Sequence, residues 1–211
     1  PGAEALLADE LRALRVRRVR PLKGGVTFFG APADAERVCL WSRLAGRVTL
    51  TVARVNAGDA ELLYAGAYDV PWEDVLAPGA SVAVRARGTN AELRNSHFTE
   101  LKLKDAVCDR MLARRGTRPV AAPKGADAVI EARVREGRAT LSLDLSGESL
   151  YRRAYLDARD GDDAPSACAL AAMLLAGAGW SSAAAAGWGL FDAACDDGYV
   201  VCEAAGIAAD Q

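Results

Sequence analysis

Two stretches of this 211-residue chain place side chains at spacings that could do chemistry. The first is "FDAACDDGYVVCEAAGIAADQ", residues 191–211, which reads as a buried strand, a tight turn and a helix. That layout holds nucleotide-like cofactors in many folds. Such a turn wants glycine, both for backbone angles closed to other residues and for close approach of a ligand. Asp196 and Asp197 stand there instead.

The second stretch is basic. Between residues 85 and 124, ten Lys/Arg side chains face four acids, Glu92, Glu100, Asp105 and Asp109. Cations gathered on one strand, one loop and the next helix are the electrostatic footprint of a polyanion. The loop "GTNAELRNSHF" adds Asn90, Asn95, Ser96 and His97, which can bond phosphate, sugar or base edges. RNA fits this pattern better than duplex DNA, because no helix-turn-helix, zinc-finger or basic-zipper pattern accompanies it. The plainer alternative is a solvated helix face, with Lys102, Lys104, Arg110 and Arg114 partly neutralising Glu100, Asp105 and Asp109.

The elements that must position these residues follow from patterning. Residues 3–14 carry Leu6, Leu7, Leu11 and Leu14 on one helical stripe. "RVRRV" (15–19) alternates like a strand, and "GGVTFFG" (24–30) is a second one. A helix starts at Pro32 and ends at Gly46, strand 47–55 follows, and a helix is expected over 59–68. A turn-rich segment leads to strand 81–88 and then to a long helix, 98–116, with Leu101, Ala106, Val107, Cys108 and Met111 available for burial. Strands 127–137 and 138–147 form a hairpin around Glu136-Gly137. An acidic linker, 157–163, precedes an Ala-rich helix over about 166–177, a loop, and the closing strand–turn–helix.

Charge is sorted along the chain. Residues 1–155 hold a net of +6, whereas residues 156–211 hold −8, with Arg159 alone against nine acids. Such asymmetry suggests two jobs. The five cysteines form no CxxC pair and are odd in number, which argues against a disulfide framework or zinc site and points to buried free thiols in a reducing cytoplasm. His97 is the only histidine and reads as a polar loop residue. Residues 164–191 lack charge, but Pro165 and four glycines break them, so no membrane span is expected. No signal peptide is expected either, and the absence of a starting Met suggests trimming at the front.

Several long blocks carry a resemblance. "PGAEALLADELRAL", "VRPLKGGVTFFGAPADAERVCLWSRLAGRV", "YDVPWEDVLAPGASVAVRARGTNAELRNSHFTELKLKDAVCDRM" and "RATLSLDLSGESLYRRAYL" resemble bacterial 23S rRNA guanine-N2 methyltransferases with an amino-terminal THUMP domain. The similarity runs in order over about residues 1–156 and weakens after that. It implies an α+β fold: a ferredoxin-like subdomain at 1–46 without its usual front strand, a THUMP RNA-binding domain at 47–156, the linker 157–163, and a short α/β fragment at 164–211 resembling the start of a Rossmann-like methyltransferase domain. It implies structured RNA, ribosomal RNA in particular, as partner, with Arg94, Asn95, Lys102, Lys104, Arg110 and Arg114 as RNA-contacting residues and Asp105 orienting a neighbouring cation. Oligomeric state stays open.

The family cofactor is S-adenosylmethionine, held by a motif close to D-P-x-C-G-S-G-T. The aligned stretch here is Asp192-Ala193-Ala194-Cys195-Asp196-Asp197-Gly198-Tyr199, so the resemblance implies Asp192, Cys195 and Gly198 as a degenerate set of cofactor-binding residues. A carboxylate in place of the first glycine meets the carboxylate of the cofactor; two unit charges ~4 Å apart repel by about 4 kcal/mol at an effective dielectric of ~20, enough to abolish micromolar binding. No cofactor is therefore expected on this chain. The N-P-P-Y-type catalytic loop of similar enzymes has no counterpart in these residues, and no catalytic residue is assigned. Three readings follow: a non-catalytic RNA-binding module, the amino-terminal part of an active 23S rRNA methyltransferase, or an RNA-binding protein that its acidic tail inhibits.

Overall fold

The computed structural model describes residues 2–153, 155–156 and 163–209. The chain forms two compact units: Pro1–Val48 with Glu148–Gln211, and Thr49–Gly147. Apart from Asp163, the expected linker lies outside the described residues.

The split unit begins with α1 (Glu4–Ala13). Arg15, at φ 61°, ends this helix: Val16 N–H reaches back to the Leu11 carbonyl at 3.0 Å, and both side chains are buried. That is the six-to-one helix stop usually built on glycine, here on arginine. Arg18 is also left-handed, at φ 52°. The alternation in "RVRRV" is thus a pair of turns, not the expected strand. The strands are β1 (Arg20–Leu22) and β2 (Gly25–Thr27), joined by Lys23 and Gly24. Next comes α2 (Pro32–Trp41), with Asp34 accepting the Ala31 N–H at 2.9 Å. Glu10 of α1 accepts the Ser42 hydroxyl and, at 2.8 Å, the Arg43 N–H, fixing the turn after α2.

The contiguous unit is one four-stranded sheet with helices on one face. Its strands are β3 (Thr49–Asn56), β4 (Val82–Arg87), β5 (Ala128–Arg135) and β6 (Arg138–Asp144), in the order β3-β6-β5-β4. Only the β4–β5 pair is parallel. The covering helices are α3 (Ala60–Tyr68), short α4 (Trp72–Val75) and α5 (Ser96–Arg115). Leu63, Trp72, Leu103 and Val107 from the helices meet Val82, Ala86, Ile130, Val134 and Leu141 from the sheet in one core. Leu101 is 42% exposed and takes no place in it; Leu103 lies there instead. The β5–β6 hairpin turns at Glu136-Gly137 as expected, with Glu136 at φ 55°.

After residue 156 the split unit resumes as three helices: α6 (Ala164–Gly177), α7 (Trp180–Ala185) and α8 (Tyr199–Ala208). The buried strand expected before Asp192 does not form. Phe191 is 91% exposed, and no strand is present among the described residues after Asp144. A central strand needs neighbours on both edges to satisfy its backbone, and these residues find none. Helix α7 replaces part of the expected loop, docked by Trp180 Nε1–H on the Ala204 carbonyl of α8 at 2.9 Å. No described helix is long and apolar enough to cross a membrane.

Candidate nucleic-acid interface and cofactor turn

Helix α5 carries most of the cations singled out from the sequence, and Asn95 starts it. The Asn95 side-chain oxygen accepts the His97 and Phe98 N–H groups at 2.8 and 3.3 Å, an N-cap. Asn90 is likewise spent on backbone: it donates to the carbonyls of Ala57 and Glu136 and accepts from Glu92 and Leu93. Arg94 is exposed, with its Nε–H on the Ala91 carbonyl at 2.6 Å.

Along the helix the cations are stitched to α3 and α4. Arg110 makes a two-pronged bond to Glu73, at 2.9 and 2.6 Å, and its side chain is only 11% exposed. This guanidinium holds the Glu73 carboxyl down at about 2, against an ordinary 4.5. Arg115 donates to the carbonyls of Leu76 and Glu73. Lys102 reaches Glu61 at 2.7 Å and lies over the Tyr64 ring. Asp109 accepts the Tyr64 hydroxyl and an Arg118 N–H, both at 2.8 Å; that carboxylate pushes the phenol up to about 12. Lys104 sits 3.2 Å from Asp105, and Arg114 is the most solvent-exposed of the helix cations named here, 3.6 Å from Glu73. Much of this charge joins helix to helix.

A second concentration of cations lies on the opposite side of the sheet. Residues 82, 84 and 86 of β4, 130, 132 and 134 of β5, and 139, 141 and 143 of β6 belong to the core. Their alternates therefore face away from the helices. These include Arg85 and Arg87 on β4, Arg133 and Arg135 on β5, Arg138 on β6 and, by its pairing with Thr140, Arg54 on β3, all of them exposed. Register puts Arg87 beside Arg133, Arg133 beside Thr140 and Thr140 beside Arg54. Charge counting over 85–124 found only Arg85 and Arg87. The signal for the rest is an arginine at every second position, as in "VRAR" and "EARVR".

The candidate cofactor residues share one exposed turn at the start of α8. Asp192 accepts the Ala194 N–H at 3.1 Å, the Cys195 carbonyl accepts the Gly198 N–H at 2.7 Å, and Gly198 is left-handed at φ 78°. Asp196 is left-handed too, at φ 44°.

A model of the THUMP domain matches residues 57–144, and one of the RlmL ferredoxin-like domain matches residues 1–49. The chain is 43% identical over 209 residues to the ribosomal RNA large subunit methyltransferase K/L of Syntrophotalea carbinolica. The chain belongs to the THUMP-containing rRNA methyltransferase family. That match takes in 99% of this chain and 29% of the relative, so the chain spans about three-tenths of the relative's length. Among solved structures, a Listeria monocytogenes protein described as an N6-adenine-specific DNA methylase superposes with a TM-score of 0.82 at 26% identity, covering 99% of this chain and 53% of that one. SMU.472, a protein described as a methyltransferase and solved in complex with SAH, superposes with a TM-score of 0.78 at 25% identity, over 98% and 53%.

Family members are S-adenosylmethionine-dependent, and the described residues of the turn do not fit that cofactor by themselves. An aspartate adopts the backbone conformation that favours glycine, and Phe191, just before the turn, is 91% exposed rather than packed as the wall of a pocket. Two acidic side chains, Asp196 and Asp197, stand at the surface of the turn.

Proposed function

We propose that this chain is the RNA-docking segment of a methyltransferase acting on guanine N2 of 23S ribosomal RNA, and that it does not transfer a methyl group by itself. What carries this reading is the THUMP match over 57–144 falling on a unit that displays so many unneutralised guanidinium groups. Such a surface releases the counterions of a structured RNA on contact and holds the RNA without reading its sequence. The ferredoxin-like segment (1–46), the THUMP segment (47–156), the linker (157–163) and the methyltransferase-like segment (164–211) are the parts we assign. The exposed turn at Asp192–Gly198 supports a docking role. Methylation then belongs to a longer protein of the family, and we assign that protein to the cytoplasm.

Fluorescence anisotropy with a structured rRNA hairpin, at low and moderate salt and beside a matched DNA duplex, tests the docking. Micromolar or tighter binding that prefers RNA and weakens with salt is expected. Equal affinity for the DNA duplex, or no binding at low salt, removes the reading. Calorimetry with S-adenosylmethionine should show no heat of binding to the chain alone; a micromolar dissociation constant would overturn the non-catalytic half.

A further inference from the structure

We infer that the exposed, arginine-bearing part of the sheet face turned away from the helices, rather than the polar face of α5, receives the RNA, and that it takes the sugar–phosphate backbone of a double-stranded segment. This rests on the RNA-docking reading above and locates the contact. On α5, the guanidinium or ammonium groups of Arg110, Lys102 and Arg115 are committed to Glu73, Glu61 and the Leu76 carbonyl. Spending them on phosphate would break bonds that hold helix to helix. On the sheet, no carboxylate of the described residues lies within ion-pair distance of Arg54, Arg87, Arg133 or Arg138. Arg135 has only Glu136, 3.7 Å away, with both side chains more than four-fifths exposed. The acids on this face are Glu131 and Asp144.

The register turns these cations into rows. Arg87 stands beside Arg133, and Arg135 stands beside Arg138. Like charges directly opposite one another on neighbouring strands destabilise a sheet, so a polyanion that neutralises them gains the relief of that repulsion as well as its own contacts. With strands about 4.8 Å apart, the row from Arg87 to Arg54 crosses roughly 14 Å, and Arg85 on β4, Arg135 on β5 and Arg138 on β6 lie about 6.7 Å along their strands from it. That grid can meet several phosphates at once.

The same face lacks what a single strand would need. The strands "TLTVARVN", "VAVRAR", "AVIEARVR" and "RATLSLD" contain no aromatic residue on which a base could stack. Arginines flanked by Thr51, Thr140 and Asn56 suit phosphate and 2′-hydroxyl groups, which is how double-stranded RNA is held.

The test compares two variants of the full chain, R87A/R133A and K102Q/K104Q/R114Q, using an RNA hairpin with a long stem and a polyuridine strand of equal charge. Circular dichroism and thermal unfolding matching the parent qualify each variant. The parent should bind the hairpin more tightly than polyuridine. R87A/R133A should lose at least tenfold in hairpin affinity and about one unit of log–log salt slope per lost phosphate contact, while the α5 variant stays within about twofold. If the parent binds and only the α5 variant loses affinity, the sheet face is wrong and the docking reading survives. Polyuridine binding as tight as the hairpin overturns the double-stranded assignment. If the parent binds neither RNA, the docking reading falls, and this inference falls with it.

Discussion

The Glu203 carboxylate of α8 accepts the Nε–H of Arg153 at 2.7 Å, and the glutamate side chain is wholly buried. Its other oxygen takes Arg43 at 3.0 Å, and the Tyr155 hydroxyl donates at 2.9 Å. Arg153 also donates to the carbonyls of Leu150 and Arg43, so the network is satisfied from both sides. A single acid thereby joins α8 to the turn after α2 and to Arg153 and Tyr155.

Breaking that network should be costly. Arg153→Ala leaves Glu203 buried with half its cationic partners, and removing one member of a buried pair costs about 3–5 kcal/mol. Denaturant unfolding should show a loss of this size; Glu203→Gln, which keeps the shape and part of the hydrogen bonding, should lose less. A loss below about 1 kcal/mol in Arg153→Ala would show that water reaches the glutamate.

The Glu73–Arg110 pair sets an acid limit on the contiguous unit. The Arg110 guanidinium lowers the Glu73 pKa to about 2 in the folded protein, against 4.5 when free. Its contribution is therefore fully present above about pH 4.5 and is lost as pH falls toward 2. Melting temperatures measured across that window should fall in the parent and fall less steeply in Glu73→Gln. Arg110→Ala should lower the melting temperature at neutral pH. Parallel pH curves for parent and Glu73→Gln would remove the assignment.

Gly88 should tolerate no side chain. It is left-handed at φ +83°, and a β-carbon there would lie 2.1 Å from the Val134 carbonyl oxygen. Gly79 shares the conformation, at φ +77°, but has nothing within 4 Å. Gly79→Ala should cost only the conformational strain of about 1–2 kcal/mol, and Gly88→Ala distinctly more because backbone must move. Comparable unfolding midpoints for the two variants would contradict the close approach.

Asn95 acts through the helix it starts. Asn95→Ala should destabilise the contiguous unit by about 1 kcal/mol as the N-cap is lost, and Asn95→Asp or Asn95→Ser should restore most of that. Thermal unfolding of the three variants decides it. An Asn95→Ala protein as stable as its parent, with impaired RNA binding, would return this residue to the interface.

Much of the contiguous unit was readable before any coordinates. Clean alternation marked β3, β5 and β6, and the apolar residues Ala106, Val107, Cys108 and Met111 marked α5. Alternation misled at "RVRRV", because a helix stop built on a left-handed arginine leaves the same pattern as a short strand. The strand before Asp192 was misread for another reason: strand character is completed by neighbours, which a linear pattern does not contain. For the site, counting charge along the chain gave weight to α5, where Glu61, Glu73 and Asp109 absorb much of it. Pairing partners 37 and 41 residues distant in sequence are invisible to such a count. The sheet arginines were visible only as a period of two, and their assembly into rows depends on strand order.

The bond from Arg43 to Glu203 spans 160 residues of sequence, whereas every strand and helix of the contiguous unit lies within Thr49–Gly147. On a translating ribosome the contiguous unit can finish folding while the first 48 residues still wait for α8 to be made. Residues 2–48 then spend that interval with Arg43 lacking its carboxylate, the state most open to misassembly and to chaperones. Vectorial synthesis thus places the Arg43–Glu203 bond among the last contacts of the split unit to form.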